Sequence, residues 1–184
     1  MRIVAGLYKG IHFQPPKGFN ARPTTDFAKE ALFNILESQY DISSFNVLDL
    51  FAGSGSISYE FCSRKALSVT AIDINRNYIK YISQNLNKFG CKNARAVCID
   101  SFTFIKKSKV KYDLVFCDPP FSFAKYSELY EAIVDYNILM PNAILIIEHP
   151  KATDFSSKKY FIDKRKYGHV CFSLFSGFEE KEEI

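Results

Sequence analysis

The residues best suited to chemistry in this chain are Asp118-Pro119-Pro120-Phe121, which directly follow an apolar run over residues 114–117. The prolines fix φ and remove two backbone N–H donors, so a carboxylate and carbonyl oxygens are left as acceptors beside an aromatic ring. Such a group suits a planar partner with an NH2, such as the exocyclic amine of a nucleobase. We predict that Asp118 and the Pro119 carbonyl accept hydrogen bonds from that amine, while Phe121 stacks on the base. The alternative is a proline-rich turn in which Asp118 has only a structural role.

A second motif, Asp49-Leu50-Phe51-Ala52-Gly53-Ser54-Gly55-Ser56, ends another strand-like run upstream. Its glycines let the backbone approach a ligand closely and then lead into a helix. The motif lacks the third glycine of the dinucleotide fingerprint, because Ser58 stands there, and it lacks the lysine of a phosphate loop. A nucleotide without phosphates therefore fits it better than a dinucleotide.

Two further acids follow the next predicted strands. Asp73 stands 20 residues after Gly53, where a carboxylate usually accepts hydrogen bonds from ribose hydroxyls. Asp100 ends the third strand and is placed to accept from an adenine amine. Together with Asp49, which would face a cation, these acids predict S-adenosylmethionine as the cofactor. The alternative is that they only cap helices, as aspartate often does.

Strands and helices alternate along the chain. The pattern predicts strands over residues 47–50, 68–73, 94–99, 112–117 and 143–148, and helices over 56–64, 75–89 and 126–136 with a short one from 101. The chain begins with a predicted hairpin over residues 1–17 and a helix from about residue 25, and ends with a hairpin whose arms are residues 159–162 and 170–175. Apolar strands that alternate with helices indicate a parallel sheet covered on both faces.

Composition limits the class of protein. The 184 residues favour one domain, 47% of them are hydrophobic, and the net charge of +4 permits a polyanionic partner. The five cysteines form no C-x-x-C pair and the three histidines have no metal-ligand spacing, so we expect buried free thiols and no metal. No apolar run suits a signal peptide or a membrane span, which predicts a cytoplasmic protein away from the membrane.

Two basic runs in the sequence each allow two interpretations. Four lysines lie within residues 106–111, and Lys164-Arg165-Lys166 form the second run. Either run is explained by a solvated face or by contact with nucleic-acid phosphates.

Over nearly its whole length the chain resembles the RsmD-type 16S ribosomal RNA guanine-N2 methyltransferases. The blocks that carry the resemblance are Arg2-Ile3-Val4-Ala5-Gly6 with Lys9-Gly10, Arg22-Pro23-Thr24-Thr25-Asp26 with residues 30–36, residues 47–56, residues 118–121 and Tyr167-Gly168. Residues 118–121 alone also resemble DNA amine methyltransferases, so the Arg-Pro-Thr block and the chain length select the family. Ala5, Lys29 and Lys65 depart from residues that are frequent in it.

The resemblance implies the fold and the reaction. It implies a class I S-adenosylmethionine-dependent methyltransferase, a Rossmann-like α/β sheet of seven strands with the last antiparallel. A single methyltransferase domain spans residues 1–184, with an N-terminal hairpin and helix over 1–40 and the core over 45–178. The implied substrate is N2 of a guanine in small-subunit (16S) ribosomal RNA, within an assembling subunit, and the enzyme is expected to be a monomer.

The predicted site residues form three groups, some from their own chemistry and the rest from the resemblance. The catalytic residues are Asp118, Pro119 and Phe121. The cofactor-binding residues are Asp49, Phe51, Ala52, Gly53, Ser54, Gly55, Asp73, Ile74, Asp100, Ser101, Arg22 and Thr24. The substrate-binding residues are Pro120, Phe121, Lys9 and Arg22.

Two other functions stay open. One is a DNA adenine-N6 or cytosine-N4 methyltransferase, which normally needs a separate target-recognition region for which this chain has little room. The other is a non-catalytic RNA-binding module of ribosome assembly that uses the same fold. Binding of S-adenosylmethionine separates the last of these from the enzymes.

Overall fold

One mixed sheet organises the part of the chain that the computed structural model describes, residues 1–15, 19, 26–120 and 122–179. Its strands are β1 Asn46–Asp49, β2 Ser68–Asp73, β3 Ala94–Cys98, β4 Tyr112–Cys117, β5 Leu139–Pro150, β6 Phe161–Tyr167 and β7 Val170–Phe175. They lie in the order β3-β2-β1-β4-β5-β7-β6. Strands β1 to β5 pair in parallel, and β7 is antiparallel to both β5 and β6. The predicted α/β fold of class I methyltransferases is confirmed.

Five α-helices connect or flank these strands within the described residues. They are α1 Asp26–Gln39, α2 Ser56–Ser63, α3 Arg76–Phe89, α4 Ser101–Lys107 and α5 Tyr126–Asp135. Helix α3 shows why the ends fall where they do: the Asn75 side chain accepts the backbone N–H of Asn77 at its start, and Gly90 in the left-handed conformation ends it. None of the described helices has the length and apolar character that crossing a bilayer requires.

The core lies on both faces of the sheet. Val47 and Leu114 point to the face covered by α1, α2 and α3, whereas Leu48 and Val115 point to the face covered by α4 and α5. Alternate residues of a strand point to opposite faces, so a strand buried on both sides is apolar throughout. This is why the central strands are easy to recognise in the sequence.

The N-terminal segment folds back on itself as predicted, but with little regular pairing. Arg2 and His12 form an isolated antiparallel bridge. The backbone N–H of Ile3 donates to the Ile11 carbonyl and that of Phe13 to the Met1 carbonyl, each at 3.0 Å. The side chains of Ile3 and Phe13 are buried in the core, which anchors the segment.

A buried ion pair joins the N-terminal segment and α1 to α2. Lys29 is fully buried, and its Nζ lies 3.0 Å from Oε1 of Glu60, which is also fully buried and pairs with Arg64 through its other oxygen. The same ammonium group donates to the Arg2 carbonyl at 2.6 Å and to Ser56 Oγ at 3.1 Å. Lys29 therefore connects the hairpin to the first residue of α2, beside the glycine motif.

Three sequence-based expectations need correction. The first arm of the last hairpin is β6, Phe161–Tyr167, rather than residues 159–162, so the basic run lies within an edge strand. Strand β5 is longer than residues 143–148 and covers Leu139–Pro150. Cys98 is exposed on β3, the other edge strand, whereas the remaining cysteines are buried free thiols as expected. Edge strands have one open side and tolerate polar residues that central strands exclude.

Candidate functional site

The carboxyl ends of β1, β2, β3 and β4 meet at one cleft, because parallel strands end at the same edge of a sheet. The cleft has a volume of about 430 Å³. The predicted site residues that line it are Asp49, Phe51, Ala52, Gly53, Ser54, Asp73, Ile74, Asp100, Ser101, Asp118 and Pro120. The two motifs, which are far apart in sequence, therefore face a common cavity.

Other predicted residues lie elsewhere. Gly55 and Pro119 adjoin the cleft but are not among the described residues of its wall, and Lys9 is exposed in the N-terminal hairpin. Arg22, Thr24 and Phe121 lie outside the described residues, so their roles stay predictions.

The glycine motif forms a tight turn that only glycine permits at its end. Gly55 has φ +81°, and a Cβ there would lie 2.6 Å from the ring of Tyr59. Gly53 also has a positive φ, and its backbone N–H points to the carboxylate of Asp73. At Gly53 the loop thus presents backbone rather than a side chain to the cleft, before α2 begins at Ser56.

Asp49 is a buried carboxylate in the wall of the cleft. Its side chain is almost fully buried, and Ser58 Oγ donates to its Oδ2 at 2.7 Å. Burial raises the pKa of Asp49 to about 7, and the negative charge of Asp73 adds to the rise, while the bond from Ser58 opposes it. A carboxylate in this state is stabilised by a neighbouring cation, which would return its pKa toward the usual value.

Asp73 holds the loop and faces the cleft at the same time. Its Oδ2 accepts the backbone N–H of Gly53 at 2.9 Å, and its Oδ1 accepts that of Asn75 at 2.7 Å. A carboxylate has about four acceptor sites. The two backbone bonds therefore leave capacity for two further donors, such as a pair of ribose hydroxyls.

We expect replacement of Asp73 by Ala to weaken the affinity for S-adenosylmethionine at least about tenfold, because a hydrogen bond to a charged acceptor contributes roughly 1.5–3 kcal/mol. Isothermal calorimetry measures the affinity directly. Asp73→Asn is the matched variant, since its remaining oxygen still accepts one backbone N–H, and we expect it to lose less. Unchanged affinity in both variants would remove Asp73 from the cofactor site.

Asp100 and Ser101 also have structural tasks. The exposed Asp100 caps α4, where its Oδ1 accepts the backbone N–H of Thr103 at 2.9 Å and the hydroxyl of Thr103 at 3.1 Å. The hydroxyl of Ser101 donates to the Leu50 carbonyl at 2.6 Å and so attaches α4 to the end of β1. The capping interpretation therefore accounts for one oxygen of Asp100, and its contact with a cofactor stays a prediction.

The acceptor side of the cleft, where the amine that receives the methyl group is predicted to bind, begins with Asp118, directly after β4. Asp118 is partly buried there, Pro119 is buried and Pro120 is exposed. The Pro120 carbonyl accepts the backbone N–H of Phe123 at 2.8 Å, which closes the turn. At the start of α5, burial and the charges of Asp118 and Glu148 raise the pKa of Tyr126 to about 12. Its phenol therefore stays protonated at neutral pH in the vicinity of Asp118.

Aromatic side chains at both ends of the cleft were missed by the sequence analysis. The ring of Phe123 lies 5.6 Å from Phe51 and is nearly parallel to Phe102 at 6.4 Å. Across the glycine loop, Phe19 packs edge-on to Tyr78 at 5.2 Å. Phe19 and Phe123 lie in irregular segments without periodicity, so the available signal was their aromatic type beside a proline-rich break.

The described residues contain no group of three or more His, Cys, Asp or Glu side chains arranged to hold a metal ion. Among them, His149 is engaged in the fold: its Nε2 lies 2.8 Å from Ser173 Oγ and its Nδ1 2.9 Å from the Pro150 carbonyl. Burial lowers the pKa of His149, so it is a neutral structural residue.

A sheet whose last strand is antiparallel, with a glycine turn and acidic strand ends at its carboxyl edge, defines the class I methyltransferase fold. The structure superposes on one described as "Putative methyltransferase yhhF from Escherichia coli" with a TM-score of 0.86 and 28% identity, over 98% of this chain and 99% of that one.

The family model described as "Conserved hypothetical protein 95" matches residues 1–176, and the chain belongs to this family. It is 35% identical over 155 residues to "Ribosomal RNA small subunit methyltransferase D" of Haemophilus influenzae, covering 82% of this chain and 79% of the relative. The protein of the same name from Escherichia coli is 32% identical over 148 residues, covering 80% and 74%. The resemblance found in the sequence is confirmed.

Proposed function

We propose that this protein transfers a methyl group from S-adenosylmethionine to the exocyclic N2 of a guanine in small-subunit ribosomal RNA. One observation carries the proposal: Asp118 faces the same cleft as Asp49, Asp73 and the glycine loop. The names of the relatives, which specify ribosomal RNA of the small subunit, support the class of substrate. The choice of guanine N2 rests on the resemblance.

The residues of the cleft fit S-adenosylmethionine. The donor carries a positively charged sulfonium and supplies an electrophilic methyl group when it is bound. Asp49, whose burial disfavours its charge, is matched to a cationic ligand. Asp73 has free acceptor capacity for the ribose, and Gly53 lets the backbone approach the ligand. Phe19 and Tyr78 flank the loop and offer apolar contacts to the nucleoside.

The acceptor side fits an aromatic amine. The lone pair of such an amine is delocalised into the ring, so the nitrogen is a poor nucleophile. Hydrogen bonds from the NH2 to Asp118 and to the Pro119 carbonyl hold it and favour a more tetrahedral nitrogen with its lone pair toward the donor. Positioning and electrostatics then supply most of the acceleration. The base must be unpaired or flipped to enter. Phe121 and Phe123 follow Asp118 closely in the chain, and we assign them to stack on the base.

The chain gains limited affinity from phosphate contacts because its net charge is only +4. We propose that it recognises RNA already shaped within an assembling subunit, as a monomer in the cytoplasm. Small subunits from a strain lacking this gene should therefore accept labelled methyl with a kcat/KM at least about tenfold above that of a bare RNA hairpin with the same target. Equal kcat/KM values for the subunits and the hairpin would contradict the proposed requirement for assembled RNA.

Nucleoside analysis of the product tests the reaction itself. We expect N2-methylguanosine from the deficient subunits and no incorporation into subunits from the parent strain, whose site is already modified. Label in DNA would favour the amine methyltransferases of DNA that share the Asp-Pro-Pro-Phe motif. Binding of S-adenosylmethionine without transfer to any nucleic acid would contradict the assigned substrate, and absence of binding would favour an assembly module.

A further inference from the structure

We propose that a surface at the β6 edge of the sheet binds the RNA strand that flanks the target guanine. This surface, the edge platform, consists of Phe27, Arg165 and Tyr167. The inference rests on the proposed function, because it takes the occupant of the cleft to be a base of a longer RNA. The occupant of the edge platform is an unpaired RNA segment, held by base stacking on the two rings and by phosphate contact with Arg165.

Strand register places the edge platform beside the acceptor side of the cleft. Cys117 pairs with Ile147, Ile147 with Ser173, and Ser173 with Lys164, so these residues form one line across the sheet. Three strand spacings, about 14 Å in total, separate Cys117 from Lys164. Residues 165–167 extend from it toward the edge at which Asp118 lies. A few nucleotides span this separation.

An aromatic pair supplies the stacking surface of the platform. Phe27, near the start of α1, is 74% exposed. Its ring centroid lies 6.2 Å from that of Tyr167, at an interplanar angle of 75°. A flat apolar ring held at the surface by a second ring is suited to stacking with an unpaired base. Such stacking does not depend on which base is present.

Arg165 gives the platform its charge complementarity to RNA. It is exposed on β6, an edge strand of the sheet, whereas the next residue, Lys166, pairs with Cys171 and points to the opposite face. Arg165 pairs with Asp163 through Nε at 2.5 Å, but both side chains remain substantially exposed and a guanidinium has five N–H donors. Arg165 pairs across the strands with Phe172, on the sheet face that α1 and Tyr167 share, so it lies on the same side as the rings.

The other basic run lies at the opposite end of the sheet. Helix α4 starts at the cleft with Ser101 and ends at Lys107, and the rest of that run leads directly into β4 at Tyr112. The five residue steps from Tyr112 to Cys117 cover about 17 Å of strand before Asp118 is reached. Lys109, between the end of α4 and the start of β4, is exposed toward that end and does not face RNA whose base occupies the cleft. It is therefore the control for the platform cation.

The charge test compares two single variants that each remove one positive charge. Arg165→Gln should raise the KM for deficient small subunits at least about threefold, while Lys109→Gln, in the other basic run just before β4, should leave it unchanged. The slope of log kcat/KM against log salt should become shallower by about 0.7 for Arg165→Gln alone, since each contact with a single strand contributes about 0.7. Equal effects of the two variants would overturn the proposal.

The stacking test uses Phe27→Leu and Tyr167→Leu, which keep apolar volume but remove the flat ring. Each should raise the KM at least about fivefold and leave kcat unchanged, and the effect should persist at high salt, because stacking is not screened. Tyr136→Leu, an exposed aromatic residue at the end of α5, is the matched control and should have no effect. Phe27→Leu keeps the test decisive if Tyr167→Leu does not fold, because Phe27 is mostly exposed.

Different results would contradict the proposed function and the edge platform. If the unmodified protein transfers no methyl to deficient subunits, the proposed function is wrong. If it transfers methyl normally and the folded platform variants match it in KM and salt slope, the proposed function stands and the edge platform is wrong. Affinity for S-adenosylmethionine, measured by calorimetry, should be the same in all these variants and shows that the cofactor site is intact.

Discussion

Asp118→Asn is expected to slow methyl transfer at least about 100-fold and to leave the affinity for S-adenosylmethionine unchanged. Asparagine replaces one acceptor oxygen with an NH2 that meets the NH2 of the substrate. It also removes the negative charge that stabilises positive charge developing on the attacking nitrogen. Loss of a single preorganised electrostatic contact has effects of this size in comparable sites. The donor should still bind, because Asp118 lies after β4, on the acceptor side of the cleft.

Single-turnover transfer with saturating subunits is the measurement, since it isolates the chemical step from product release. Asp41→Asn is the matched control: Asp41 caps a 3₁₀ turn through the Ser43 amide, a role that asparagine also performs. It should transfer methyl at the normal rate. If Asp118→Asn does so too, Asp118 is a turn residue and the proposed acceptor site is wrong, because asparagine is equally suited to turns.

The central strands and their acidic ends could be predicted from sequence because physical constraints act on each residue separately. A strand covered on both faces must be apolar, so β2 and β4 were located to the residue. Once these strands are parallel, Asp49, Asp73 and Asp118 must lie at the same edge. Chain order and residue type were sufficient for that inference.

The parts that were missed depend on neighbours that sequence does not specify. The bounds of β6 were wrong because an edge strand carries charged residues such as Lys164 and Arg165, whose run fits a solvated face or phosphate contact without indicating a strand. The aromatic side chains at the ends of the cleft were missed because positions such as that of Phe123 follow from packing between distant segments. The backbone bonds of Asp73 likewise depend on the conformation of Gly53, which a motif does not describe.

Asp49 presents a conflict between stability and binding. In the unliganded protein burial raises its pKa from 3.8 to about 7. Since a raised carboxyl pKa means that the folded state disfavours ionisation, stability is lost as the pH rises from the unfolded pKa to the folded one. Three pKa units correspond to a cost of about 4 kcal/mol, fully present above pH 7 or so. A bound cation offsets this cost, so ligand binding and ionisation of Asp49 favour each other.

Asp49→Asn is therefore expected to weaken S-adenosylmethionine binding at least about 30-fold at pH 7.5 and to stabilise the unliganded protein at that pH. In the unmodified protein the affinity should fall by up to about tenfold per pH unit below pH 7, because the carboxyl must first lose a proton. The variant has no such proton and should show no fall from this cause. Below the unfolded pKa both proteins have a neutral side chain here, and the stability gain should disappear.

Calorimetric affinities between pH 5.5 and 7.5, together with denaturant unfolding of the unliganded proteins, provide both quantities. S-adenosylhomocysteine separates the two cations that Asp49 can face, because it keeps the ammonium group but lacks the sulfonium. If the carboxylate opposes the sulfonium, Asp49→Asn leaves the affinity for S-adenosylhomocysteine nearly unchanged; if it opposes the ammonium, both ligands lose affinity equally. A variant that binds both ligands as tightly as the unmodified protein at every pH would show that Asp49 faces neither charge. Asp49 would then have only a structural role, as the acceptor of hydrogen bonds from Ser58 and the Phe51 backbone.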